Sequence, residues 1–259
     1  MAGSRYRVRE GIVVRRTPLP SGDVVATLLS ADGKWRAVAR KGRLPGGNPG
    51  RLSLFHDVTV QAYHRREGDL AVVAQVRLNG ALPRLADPGV YPYAHLLAEL
   101  ADRLTVDVHL GEPLHAWLAS GLRGLDRDPD PERVALVHAW MLLRVAGLGP
   151  DPGRAEPGGD AAGAEETTRE GDGPRFDVAE GRLVREGPGL ALSERVAREL
   201  RLLVAGRAQD TLRDPLSDRL GHWRLLARYV AWHVDELRSL RALAGAAASR
   251  RAAVPEPAP

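Results

Sequence analysis

Between residues 5 and 78 apolar and polar positions alternate with a period of two in five runs, at 6–14, 23–29, 34–41, 55–63 and 70–78. Pro18, Pro20, Gly22, Asp32-Gly33 and Gly68 punctuate them. Asp32-Gly33 predicts a tight hairpin, because both residues tolerate the positive φ that such turns require. Five short strands in this span predict a small barrel of the size of an oligonucleotide/oligosaccharide-binding (OB) fold, and an SH3-like barrel would leave a similar pattern. After Pro83 the period changes to 3.6, with Val90, Tyr93, Leu96, Leu97, Leu100 and Leu104 on one helical stripe. A second helix is predicted over 113–125. A third begins at Asp130-Pro131, an acceptor cap followed by proline in the first turn, and stops at Gly147.

Residues 149–174 hold seven acids against Arg154 and Arg169 and almost no large apolar side chain. Such a segment cannot bury enough surface to offset its ordering entropy and reads as a loop. Residues 176–184 predict a short strand pair around Glu180-Gly181. Ser193 caps a helix predicted over 194–206, and one long helix is predicted over 217–244, with Leu220, Trp223, Leu226, Val230, Val234, Leu237 and Leu240 on its buried face. From residue 246 the chain reads as a disordered tail. The expected fold class is α+β: an N-terminal five-stranded OB-fold barrel (1–80), a helical domain in two parts (81–148 and 191–245), and between them a degenerate small β/loop insertion (149–190).

Charge adds a direction. The 259 residues carry a net charge of only +4, but residues 1–75 hold thirteen Lys and Arg against six acids, leaving the remainder net negative. This asymmetry points to a polyanion partner for the barrel. There is no cysteine, which excludes disulfides and thiol-ligated metal sites. No run approaches a membrane span or a signal-peptide core, so a soluble cytoplasmic protein is expected.

The basic residues concentrate in GKWRAVARKGRLPGGNPGR (33–51). Strand alternation puts Lys34, Arg36 and Arg40 in one outward row, followed by Lys41, Arg43 and Arg51, with Arg15 and Arg16 on the first strand as further candidates. Such a row can track phosphates and release their counterions without reading base sequence. Trp35 has two readings, stacking on an unpaired base or filling the barrel core; its alternation with Ala37 and Ala39 favours the core. Arg219, Arg224 and Arg228, beside the last apolar stripe, are candidates for secondary DNA contacts or for an ordinary charged helix face. The only lysines, Lys34 and Lys41, precede Trp35 and Gly42, which excludes a P-loop. His95 and Glu99 have helical metal-ligand spacing but no third ligand nearby, and His56-Asp57 lacks a nucleophile motif. No catalytic residue, metal or cofactor is therefore assigned. The competing readings are an RNA-binding or ribosome-associated module and an enzyme acting on nucleic acid.

In order and spacing, GIVVRRTPLPSGD (11–23), LLSADGKWRAVARKG (28–42), LSLFHDV (52–58), YAHLLAEL (93–100) and RYVAWHVDELRSLRAL (228–243) resemble the RecO family of bacterial recombination mediators over nearly the whole chain. The resemblance implies binding of single- and double-stranded DNA, annealing of complementary strands and nucleoid association. It also implies work with RecR and the C-terminal tail of single-stranded DNA-binding protein to load a recombinase, without nucleotide hydrolysis. Many family members carry paired zinc-ribbon cysteines. The matching positions here are Ala155, Gly158, Arg185 and Pro188, which supply no ligand set, so no structural zinc is expected.

Overall fold

Five strands, β1 (Tyr6–Pro18), β2 (Val24–Ser30), β3 (Gly33–Ala39), β4 (Asp57–Tyr63) and β5 (Ala71–Gly80), close into a barrel in the order β1-β2-β3-β5-β4, the OB fold. The computed structural model describes residues 6–40, 48–64, 66, 69–105, 110–151, 173–185, 187–204, 216 and 218–252. β1 pairs with β4 through residues 6–12 and with β2 through residues 12–18, and a register shift between Val13 and Arg15 bends it from one partner to the other. Closure comes from the parallel contact of β3 with β5 at Ala37–Ala71 and Val38–Val72. Inward residues including Val13, Leu28, Ala37, Val58, Val60 and Val76 fill the core. Gly33 takes φ +102° at the β2–β3 turn, where Ser30 Oγ donates to its carbonyl at 2.9 Å. The four-residue helix α1 (Asn48–Arg51) precedes β4.

Every residue of β2 is buried, although alternation would send half of them outward. The outer side is covered by helices: α2 (Tyr91–Leu104) packs on β1, and α3 (Gly111–Arg127) on β2, β1 and β3. Gly111 meets the hairpin turn so closely that a Cβ there would collide with the Gly33 nitrogen and lie 2.5 Å from the Ala31 carbonyl oxygen. Sequence periodicity closes the barrel domain at residue 80. By packing, the barrel, α2 and α3 belong to one compact unit, Met1–His138, and the second unit is Ala139–Pro259. The division falls inside α4 (Pro131–Leu143), whose first turn is capped by Asp130 Oδ1 accepting from Arg133 N at 3.1 Å.

His138 on α4 is buried, with its ring 5.8 Å from that of Trp117 and its Nδ1–H donating to the Val134 carbonyl at 2.9 Å. Burial, the larger effect, lowers its pKa against the smaller opposing pull of that carbonyl. The unfolded chain therefore binds the proton more readily than the folded one, so stability falls as pH drops below about 6.5 towards the folded-state value. The unfolding midpoint in denaturant should fall between pH 7 and 5.5, and His138→Gln should flatten that dependence; an unchanged slope in the variant refutes the assignment.

In the second unit α4 leads into a π-type turn, Arg144–Leu148, ended by Gly147 at φ +78°. β6 (Arg175–Asp177) and β7 (Arg182–Val184) form the expected pair, with Asp177 Oδ1 accepting from Ala179 N and Glu180 N, and β8 (Leu190–Ala191) adds a third strand beside β6. Ser193 Oγ accepts from Val196 N at 3.2 Å and caps α5 (Glu194–Val204).

The single helix expected over 217–244 is two helices, α6 (Arg219–His233) and α7 (Arg238–Ala252). The amides of Val234 and Asp235 both return to the Val230 carbonyl, at 2.9 and 3.0 Å, and Val234 leaves helical geometry. His233 Nε2–H donates to the Val178 carbonyl at 2.7 Å, and Asp235 Oδ1 takes the Glu236 amide at 2.8 Å. These bonds stop α6 where the apolar stripe continues. Asp218 caps α6, its Oδ1 accepting from Gly221 N at 3.0 Å. The tail expected from residue 246 is also corrected in its first part, because α7 continues to Ala252 with Ala247 buried.

Candidate nucleic-acid interface

Along β3, Gly33, Ala37 and Ala39 are buried while Lys34, Arg36 and Arg40 are exposed, as alternation predicts. The outward row is nevertheless divided in its chemistry. Lys34 Nζ donates to the Asp102 backbone carbonyl at 2.8 Å and lies 3.2 Å from Oδ1 of the same residue, an ionic contact without hydrogen-bond alignment. Arg15 Nε lies 3.4 Å from Asp102 Oδ2. The Asp102 side chain is only 9% accessible. Without compensation a carboxylate in that position would be costly. Lys34 and Arg15 thus neutralise a buried acid of α2 and fasten that helix to β1 and β3. Arg36 and Arg40 are exposed and, among the described residues, their side chains have no hydrogen-bond or ion-pair partner.

Lys41 and Arg43 lie outside the described residues. Arg51 Nη1 donates to the Val76 carbonyl at 2.9 Å, tying α1 to β5, and the Arg51 carbonyl accepts from His56 Nδ1–H at 2.9 Å. Asp57 Oδ1 accepts from Asn79 Nδ2 at 3.1 Å. The neighbouring His56 and Asp57 are thus committed to separate partners. Trp35 is half-buried against the barrel core, and the Arg9 guanidinium lies 5.7 Å from its ring centroid. Arg7, Arg9, Trp35 and His64 line a small cleft of about 190 Å³. Sequence reasoning did not single out Arg7 and Arg9; their spacing of two on the first strand was the available signal, since it places both on one face.

Arg16 sits elsewhere, on a second cleft of about 530 Å³ with His56, Phe55 and Tyr91. In the second unit Arg219 is half-buried and Arg224 and Arg228 are exposed on α6, whose Trp223, Leu226 and Val230 are core residues. Arg228 borders a cleft with Trp232, which is 67% exposed. Ala155 and Gly158 lie outside the described residues, whereas Arg185 and Pro188 are exposed beside the small sheet. Among the described residues no group of three or more His, Asp or Glu is placed to hold a metal ion, and no helix is long and apolar enough to cross a membrane. His95 is half-buried with its ring 6.1 Å from that of Tyr91.

Comparison with known proteins covers the helical part most fully. Residues 85–241, more than half of the chain, match the family described as Recombination protein O C terminal. The chain is also 28% identical over 143 residues to a protein of Exiguobacterium sibiricum named DNA repair protein RecO, an alignment covering 54% of this chain and 57% of that relative. A closed OB barrel followed by helices that match the family over 85–241 places the chain in the RecO family.

Proposed function

We propose that this chain is a DNA-repair and recombination mediator whose barrel binds single- and double-stranded DNA with little regard to sequence and anneals complementary strands. The observation that carries the reading is the exposed pair Arg36, on β3 of an OB barrel, and Arg40, just past its end, whose side chains have no acidic partner among the described residues. Two guanidiniums free of internal acids can take phosphates and lessen the repulsion between approaching strands. Lys41, Arg43 and Arg51 follow in sequence and extend the positive charge; Arg224 and Arg228 are secondary candidates. Together with RecR, the chain would load a recombinase onto DNA coated by single-stranded DNA-binding protein, whose acidic tail requires a basic, apolar docking site. No hydrolytic step belongs to this scheme.

The test is the salt dependence of oligonucleotide binding, with annealing followed in parallel. Arg36→Glu/Arg40→Glu should lower single-strand affinity and reduce the slope of log affinity against log salt by about 1.4, at roughly 0.7 for each phosphate no longer neutralised. Annealing should fall with it while the unfolding midpoint is retained. Unchanged slope and annealing would move the DNA surface away from β3. Competition with a matched RNA strand decides the second reading, since tighter RNA binding would favour an RNA-associated module.

A further inference from the structure

Phe55 is the one non-glycine residue with positive φ among those described, at +69°, a backbone region uncommon for a bulky side chain. Two hydrogen bonds to β1 hold it there, Phe55 N to the Val13 carbonyl at 2.9 Å and Val13 N to the His56 carbonyl at 3.0 Å. Its ring meets Tyr91, the first residue of α2, edge to face at 5.5 Å, and Tyr91 remains 41% exposed. The two rings border the 530 Å³ cleft, whose floor is apolar through Leu54, Pro83 and Leu85. Arg16 supplies its basic side, beside the polar His56 ring. The His56 ring is oriented by its Nδ1–H bond to the Arg51 carbonyl.

Resting on the DNA-binding reading above, we propose that this cleft receives one unstacked nucleobase of a single strand, with its phosphate on Arg16. The volume accommodates a nucleotide, and aromatic rings beside a basic rim are the combination that binds unpaired bases with little sequence preference. The charge favours an anionic occupant. A duplex keeps its bases stacked and cannot use the cleft. The site would therefore bias the protein towards unpaired strands and hold a base out of its own stack until a complementary strand arrives.

The experiment measures single-strand and duplex affinity for the wild type, Tyr91→Ala, Tyr91→Phe and Arg36→Glu/Arg40→Glu, and adds photo-crosslinking with oligonucleotides containing 5-iodouracil. Tyr91→Ala should weaken single-strand binding about tenfold, a typical loss for one stacked base, and leave duplex binding unchanged. Tyr91→Phe keeps the ring and should restore affinity, and wild-type crosslinks should map to Tyr91 or Phe55. Equal loss on both DNA forms, or no loss at all, overturns the base site; if the arginine variant still loses binding, the DNA-binding reading survives it. A wild type that binds neither form overturns both. Protection of Tyr91 and Phe55 from crosslinking by an acidic peptide ending in an aromatic residue, with DNA affinity unaffected, assigns the cleft to a protein partner and also overturns the proposal.

Discussion

Replacing Lys34 by Glu should destabilise the first unit by about 2–4 kcal/mol, and any loss of DNA binding should follow the rise in the unfolded fraction. Breaking a buried ion pair costs roughly 3–5 kcal/mol. The figure is reduced here because the Lys34 and Arg15 side chains are 31% and 52% accessible, so water screens part of the interaction. A glutamate at position 34 would place a second carboxylate beside the buried Asp102 while removing the ammonium that now satisfies the Asp102 carbonyl. Urea unfolding followed by circular dichroism gives the direct measurement. A double-mutant cycle identifies the cause: Lys34→Met/Asp102→Leu should recover most of what Lys34→Met and Asp102→Leu lose separately, because it removes both charges from the interface. Additive losses would show that the pair is not coupled. The practical consequence is that Lys34 does not belong in a charge-reversal test of DNA binding, whereas Arg36 and Arg40 do.

In the second unit the corresponding sensitive position is Phe176. Its side chain is fully buried, and its ring lies 5.8 Å from Tyr229, which is in turn 5.5 Å from Trp140 and 4.2 Å from His233. Tyr229 OH donates to the Leu148 carbonyl at 3.1 Å, and Arg175 Nη2 donates to the Gly189 carbonyl at 2.9 Å. An aromatic plug and polar pins thus hold a sheet whose strands are only three, three and two residues long. Phe176→Ala should cost about 3–5 kcal/mol by lost transfer energy and cavity formation. Amide hydrogen exchange should accelerate first across 175–191, and treatment of the wild type with a chelator should leave that protection unchanged. Protection that depends on added zinc and survives Phe176→Ala would refute the account.

The sequence made the barrel legible because a two-residue period acts locally, and the hairpin at Asp32-Gly33 is set by residues that tolerate its geometry. The same alternation correctly placed Lys34, Arg36 and Arg40 outward. It could not separate them, because the acid that engages Lys34 lies 68 positions further along the chain. The ion pair of Arg15 with Asp102 was hidden for the same reason. Trp35 shows the opposite case, since its alternation with Ala37 and Ala39 carried the relevant information. The break between α6 and α7 was hidden because Leu237 and Leu240 return to a buried face after it, so the stripe continues through a gap made by the His233–Val178 hydrogen bond. The cleft at Phe55 left no local signal: a phenylalanine in a strand-like run gives no warning of positive φ, and its partner Tyr91 belongs to another element.

The burial of β2 on both faces has a consequence for synthesis. Val24–Ser30 is an apolar, β-prone run that gains its inner covering only when β5 closes the barrel and its outer covering only when α3 is made. Roughly 100 residues separate the strand from the end of that helix, which at about 5–20 residues per second leaves it unprotected for around 5–20 s on the ribosome. An uncovered run of that composition is prone to pair with other chains. The demand this protein places on nascent-chain chaperones therefore falls early in translation, before the second unit has begun to emerge.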